Sequence, residues 1–328
     1  MKKNTLAGLW GQWLFLHRSG DLFSRNLSVN YSKENNLRFP FNILKKQKFT
    51  EEIRNLPPDV PCAFTLEITP RCNYHCPYCY CLWHEFPAMT EKTLSLEEWK
   101  NIISILVRQK VCDFVFSGGE ALLFPQLTEL LIFTRRVLPS GRLVLFTNGS
   151  LLTDELLQKY NKLKIDIAVS LQGIGSYRQM TGTDHSCRKI LNLLRQCRAS
   201  GRPGSVSTVV TQLNRHEICD IFLAAAEAGA GFIQLGPMMV QGKGRSRKDL
   251  ALSPEEWQEV KEQIRNMKNC HTPYGFCEEM ICHCRKQPEE ILQNFALPEL
   301  PPCSAGKRSG VISPDGSYRK CLHYIDSE

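Results

Sequence analysis

The chain has 328 residues, 42% of them hydrophobic and 23% charged, with 15 cysteines and a net charge of +8. Its length suggests two or three domains, and no apolar stretch reaches the ~20 residues that a membrane-spanning helix needs. The positive charge forms no continuous basic tract and no basic-aromatic pattern, so neither a nucleic-acid partner nor a membrane is expected.

Lys2 and Lys3 precede an apolar run from Leu6 to Leu16. Gln12 interrupts that run and no small-residue cleavage site follows it, so no export is expected. In a long chain without an export signal, abundant cysteine points to metal or redox chemistry in a reducing cytoplasm, not to disulfides. Trp10, Trp13, Phe15 and Phe23 cluster early, Lys45, Lys46 and Lys48 form a basic run, and Pro57-Pro58 with Pro61 mark a boundary. Residues 1–60 therefore read as an N-terminal extension that either binds substrate or packs on the main domain.

From Cys62 onward strands and helices alternate. Strands are expected at Ala63–Ile68, Cys112–Phe116, Arg142–Phe146, Ile165–Val169, Ser205–Val210 and Phe232–Leu235. The first helix starts at a capping box made by Ser95 and Glu98 and runs to about Lys110. Further helices run from Pro125 to Leu138, from a Thr153 cap, from Ser186 to Ala199 and from His216 to Ala228. A last one starts at the Ser253-Pro254-Glu255-Glu256 box and runs to about Asn269. Six consecutive βα units imply an α/β fold with a parallel sheet, either doubly wound or a partial barrel, spanning residues 61–250. The functional face then lies at the carboxyl ends of the strands.

The first of these ends carries Arg71–Cys81, R-C-N-Y-H-C-P-Y-C-Y-C, in which Cys72, Cys76 and Cys79 form C-x3-C-x2-C. Three thiolates this close suit three corners of a cubane iron–sulfur cluster and leave one iron open to a chelating cofactor. The residues alone also allow a zinc site completed by Cys81 and His75, or three buried thiols. The spacing resembles that of the radical S-adenosylmethionine (radical SAM) superfamily, with Tyr78 as the aromatic before the third cysteine.

That resemblance implies a partial (β/α)6 TIM-like barrel, a [4Fe-4S] cluster and S-adenosyl-L-methionine. It also implies reductive cleavage to a 5′-deoxyadenosyl radical that abstracts hydrogen. Gly118-Gly119-Glu120 at the end of strand two resembles the segment that binds the methionine amino group. Thr147-Asn148-Gly149 resembles the motif ending strand three. Ser170 resembles the hydroxyl that contacts ribose or carboxylate, and Arg178 stands where an arginine could meet the carboxylate. Val206–Val210 and Leu235 are expected beside adenine, although apolar strand residues are core by default. Gln172 stands where many relatives carry Asp, which puts an acid–base role there in doubt.

The Gln241–Lys248 stretch, Q-G-K-G-R-S-R-K, reads as a solvated loop or as a site for an anionic substrate. Residues 251–328 hold the last helix and a small Cys-rich extension with Cys270, Cys277, Cys282 and Cys284, for which free thiols or a zinc site are the alternatives. Val311–Cys321 reads as a hairpin with a Pro-Asp-Gly turn. Cys303 and Cys321 resemble ligands at the start of a SPASM or twitch extension, which holds auxiliary iron–sulfur clusters. The full extension carries further cysteines, whereas this chain ends seven residues past Cys321. A shortened extension and a fragment both stay open.

The resemblance implies a radical SAM oxidoreductase acting in peptide or protein maturation, with an electron donor such as flavodoxin or ferredoxin. A haem- or tetrapyrrole-modifying enzyme is the alternative, and a non-catalytic metal-binding protein is the alternative of another class.

Overall fold

The computed structural model describes residues 63–267, 272, 274–276, 309–320 and 322. The expectations for residues 1–60 and for Cys270, Cys277, Cys282, Cys284, Cys303 and Cys321 lie outside the described residues.

The described chain alternates β1 (Ala63–Glu67), α1 (Leu96–Arg108), β2 (Asp113–Ser117), α2 (Leu127–Val137), β3 (Arg142–Thr147), α3 (Asp154–Lys162) and β4 (Ile165–Ser170). It continues through α4 (Tyr177–Thr181), α5 (Cys187–Ala199), β5 (Ser205–Val210), α6 (Ile218–Glu227), β6 (Phe232–Pro237) and α7 (Pro254–Arg265). The helices begin where local chemistry dictates. Ser95 Oγ accepts from the Glu98 amide while Glu98 returns a bond to the Ser95 amide, satisfying two free donors at the start of α1. Ser253 and Glu256 do the same for α7, and Thr153 caps α3.

Strands β1 to β6 pair in parallel in sequence order. Three more strands join the same sheet: β7 (Tyr274–Phe276), β8 (Ser309–Ile312) and β9 (Tyr318–Arg319). The order is β7-β6-β5-β4-β3-β2-β1-β8-β9, an open and mostly parallel sheet. β8 and β9 form the expected hairpin, with Gly316 closing its turn onto the Ser313 carbonyl. The hairpin does not stand apart as an extension. β8 pairs in parallel with β1, from Ala63↔Ser309 to Leu66↔Ile312.

Strand alternation sorts side chains onto two faces. Phe64, Leu66, Phe114, Phe116, Leu143, Leu145, Ile167, Val169, Val206, Ile233 and Leu235 join the helices in one large core. Each such aliphatic side chain contributes roughly 1.5–3 kcal/mol by leaving water. Ala63, Val115, Val144, Ala168 and Phe232 form a separate, smaller cluster on the other face. The same parity puts Ser170 on that inner face and Leu235 on the helix face. Leu235, expected beside adenine, has its side chain fully buried in the helix-side core.

At the amino ends of the strands the inner face carries charge. Asp113 is paired in register with Arg142, whose Nε lies 3.3 Å from Asp166, and Arg202 also pairs with Asp166. Burial, opposed by the Arg142 charge, pushes the Asp113 carboxyl up to about 6. A carboxyl whose pKa is raised on folding destabilises the fold when ionised. The penalty is absent below the ordinary carboxyl value and fully present above about 6. Asp113→Asn is expected to stabilise the protein by about 1–3 kcal/mol at pH 8 and to make no difference near pH 4. Urea unfolding at both pH values checks this.

Candidate cofactor site

The site begins where β1 ends. The Ile68 amide still bonds to the Ser117 carbonyl (3.0 Å), and the two following loops stay joined by Gly119 N–H to Thr69 O and Glu120 N–H to Arg71 O, both at 2.8 Å. Contact this close requires glycine. Gly118 has φ +128°, and a Cβ there would lie 2.3 Å from the Thr69 carbonyl oxygen. A Cβ on Gly119 would lie 2.4 Å from the Arg71 carbonyl oxygen. The Gly-Gly-Glu segment thus forms the wall of the cysteine loop.

Glu120 is 1% exposed. Its carboxylate accepts from Thr147 Oγ1 (2.6 Å), the Asn148 amide (2.7 Å) and the Leu122 amide (3.1 Å). Burial raises its pKa and these three donors oppose the rise. Asn148 then reaches the cysteine loop, with Nδ2 donating to Asn73 Oδ1 at 2.9 Å. Asn73 Nδ2 donates to Ser150 Oγ at 2.9 Å, and the Ser150 amide donates to Asn148 Oδ1 at 2.9 Å. Asn73 and Ser150 escaped the sequence reading. The Asn residue inside the cysteine motif was their only local signal, and its partner comes from another βα unit.

Within the loop, Cys72 is exposed, Cys76 and Cys79 are half-buried and Cys81 is buried. The His75 amide bonds to the Thr181 carbonyl at the end of α4 (2.9 Å), and the Tyr74 and Tyr177 hydroxyls meet at 3.2 Å. Tyr78 packs with Met180, Met238 and Leu250, anchoring the loop from below. Burial, reinforced by the Cys79 charge, pushes the Cys76 thiol up to about 12. Burial also raises Cys72. Cys79 is held well below its ordinary value, mainly by a hydrogen bond with Cys81 against the effect of burial, with help from His84. Loading a metal here would release protons, because thiolates are the ligands.

Among the described residues no three His, Cys, Asp or Glu side chains converge on the geometry of a single metal ion. Ligands of a polynuclear cluster sit on different irons and need no such convergence. Soft thiol donors on one loop, with Cys72 open to solvent, fit an iron–sulfur cluster.

Ser170 closes β4 on the inner face, opposite Ser207. Gln172 is absorbed by the fold: its amide donates to the Ser207 carbonyl (3.2 Å) and accepts from the Val209 amide (2.8 Å). Arg178 is not gathered with the site. Its side chain is 79% exposed and pairs with exposed Asp184 at 2.9 Å. A guanidinium on the outer surface of a one-turn helix gains hydration that an inward position would remove. In the basic loop after β6, read as solvated or as an anion site, the glycines pack on the cysteine loop, where a Cβ on Gly242 would lie 2.5 Å from Cys79 O, while the Arg245 side chain stays 63% exposed.

The profile of the Radical SAM superfamily matches residues 66–225. This segment is a radical SAM domain. The chain is 25% identical over 187 residues to the sporulation killing factor maturation protein SkfB of Bacillus subtilis, covering 56% of this chain and 44% of SkfB. It is 27% identical over 272 residues to the Fe-coproporphyrin III synthase of Methanosarcina barkeri, covering 76% and 66%. The chain thus spans about half to two thirds of the length of these relatives. Its fold matches that of Streptococcus suis SuiB bound to the precursor peptide SuiA, with a TM-score of 0.66 and 16% identity over 93% of this chain and 71% of SuiB. Among the described residues no helix is long and apolar enough to cross a membrane.

At the carboxyl end of β1, Glu67 faces inward and pairs with Arg319 of β9; their side chains are 1% and 7% exposed. Arg319 also donates to Ser313 Oγ (2.9 Å) and the Leu322 carbonyl (2.8 Å). Arg319→Met is expected to cost about 3–5 kcal/mol by leaving a buried carboxylate uncompensated. Glu67→Gln in the same chain should restore much of that loss, as read by thermal unfolding of both variants.

Proposed function

We propose that this chain holds a [4Fe-4S] cluster on Cys72, Cys76 and Cys79 and uses it with S-adenosyl-L-methionine to modify a peptide or protein. The carrying observation is the set of three thiols on one loop, walled by Gly118 and Gly119 through two backbone hydrogen bonds. When bound, the cluster and cofactor supply reductive cleavage of S-adenosylmethionine to methionine and a 5′-deoxyadenosyl radical that abstracts hydrogen. The chain's own residues position and shield that chemistry. Backbone carbonyls around Gly118–Glu120 receive the methionine amino group, because the Glu120 carboxylate is already filled by internal donors. Ser170, inward at the end of β4, offers its hydroxyl to the ribose or carboxylate. Asn148 and Tyr78 hold the loop in place from its two sides.

A peptide substrate is supported by the likeness to a maturation protein and to the fold of an enzyme bound to its precursor peptide. The likeness to a porphyrin synthase keeps a tetrapyrrole as the second reading. Residues 1–60 are the extension that presents the substrate. Cys303 and Cys321 are ligands of an auxiliary iron–sulfur cluster, and the hairpin between them in the chain lies beside β1. A flavodoxin or ferredoxin supplies electrons, and an oxygen-sensitive cluster suits the cytoplasm.

Anaerobic reconstitution with iron and sulfide counts and a 5′-deoxyadenosine assay tests this. Cys72→Ala, Cys76→Ala and Cys79→Ala should each abolish cleavage. About eight irons, falling to about four in Cys303→Ala, would add the auxiliary cluster. Zinc in place of iron and sulfide, with no cleavage, would sink the proposal.

A further inference from the structure

Glu85 stands one residue past the short helical turn Leu82–His84, which leaves the cysteine loop. The His84 amide bonds to the Cys81 carbonyl at 3.2 Å and the Glu85 amide to the Leu82 carbonyl at 2.8 Å, while Leu82 and Trp83 are buried. The Glu85 side chain is only 9% exposed. Its Oε1 accepts from the Gly242 amide at 2.5 Å and its Oε2 pairs with Arg245, both in the segment Gly242–Ser246 that follows β6. Four strands separate β1 from β6 in the sheet, a span of roughly 24 Å if the sheet were flat. Glu85 therefore bridges the loops of two strands that do not pair.

The bridged segment lies on the backbone of the third cysteine. Gly242 has φ +59°, and a Cβ there would meet Cys79 O at 2.5 Å, Cys81 O at 2.7 Å and the Tyr80 carbonyl carbon at 2.7 Å. The Gly244 amide reaches Cys79 O at 3.4 Å, a long bond. Met238 and Leu250, which flank the segment in the chain, pack with Tyr78 and Met180. Apolar contact is non-directional, so this packing holds the segment down without fixing its register. Bonds to a carboxylate are directional and, being charge-assisted, roughly twice as strong as neutral ones. Glu85 makes such bonds where little water competes for its oxygens.

We propose that Glu85 is a positioning residue for the third cysteine. It latches the loop after β6 onto the backbone of Cys79–Cys81 and thereby fixes how Cys79 is presented to the cluster. Partners that orient a metal ligand govern how firmly the metal is held, and Glu85 acts on Cys79 through Gly242 in this way. Glu85 touches no reacting atom and makes or breaks no covalent bond. The inference rests on the cluster assignment proposed above.

The experiment compares the anaerobically reconstituted full chain as wild type, Glu85→Ala, Gly242→Ala and Arg135→Met. Arg135 binds the Leu163, Lys164 and Gly141 carbonyls at the amino ends of β3 and β4, at the other end of the sheet, and serves as the control for lost stability alone. Each protein is scored by iron and sulfide counts, thermal unfolding, iron retention against a chelator and the electron paramagnetic resonance spectrum of the dithionite-reduced cluster. Glu85→Ala should change the spectrum and weaken iron retention about tenfold, the lower end for loss of a residue that orients a metal ligand. Gly242→Ala, whose Cβ must push the two loops apart, should change the spectrum in the same way. Arg135→Met should lower the unfolding temperature and leave the spectrum as in wild type. A wild-type spectrum and wild-type iron retention in Glu85→Ala overturn the inference, even if its unfolding temperature drops. If Glu85→Ala does not fold, an unchanged spectrum in Gly242→Ala overturns it. The same spectral change in Arg135→Met overturns it as well, because the signal then follows general stability. A wild-type chain that assembles no cluster overturns the proposed function too and is told apart by its iron count.

Discussion

The carboxylate of Glu120 is the fixed point of the site. A charge buried this deeply costs several kcal/mol unless donors surround it. Here one donor comes from the turn that follows it and two from the end of β3. The amide of Glu120 meanwhile bonds to Arg71, inside the cysteine motif. One residue therefore couples the loops after β1, β2 and β3. Asn73, Asn148 and Ser150 repeat the coupling with neutral groups. The cysteines inherit their placement from this network, since a loop joined to two neighbours has little freedom to splay.

Strand parity decides which side chains the site can use. In β4 it turns Ala168 and Ser170 inward and Ile167 and Val169 toward the helices. In β6 it turns Leu235 away. Gln172, just past β4, has given its amide to the backbone of β5, so this position braces two strands instead of carrying a proton.

Charges on the inner face are kept in fixed pairs at both ends of the strands. Arg142 and Arg202 pair with Asp166 at the amino ends, and Glu67 pairs with Arg319 at the carboxyl end. Arg319 arrives on the C-terminal hairpin, so the pair ties that part of the chain to the strand that carries the cysteines. Buried pairs add little net stability, but they define register, and here they set how the hairpin meets β1.

The sequence by itself determined what depends on neighbours a few residues apart. The spacing of Cys72, Cys76 and Cys79 pointed to the superfamily whose profile matches residues 66–225, and the Ser95–Glu98 and Ser253–Glu256 boxes marked where helices start. Apolar runs located the strands, with Ser205–Val210 found at the expected bounds. Tertiary structure decided everything that needed a partner far along the chain. It joined β8 to β1, clasped Gly242 and Gly244 onto the cysteine loop, turned Leu235 to the helices and left Arg178 in solvent. The physical reason is that capping and ligand spacing are satisfied within one turn of chain. Which face a side chain shares, and whether a basic loop is solvated or packed, is settled only when distant strands pair and bury their surfaces together.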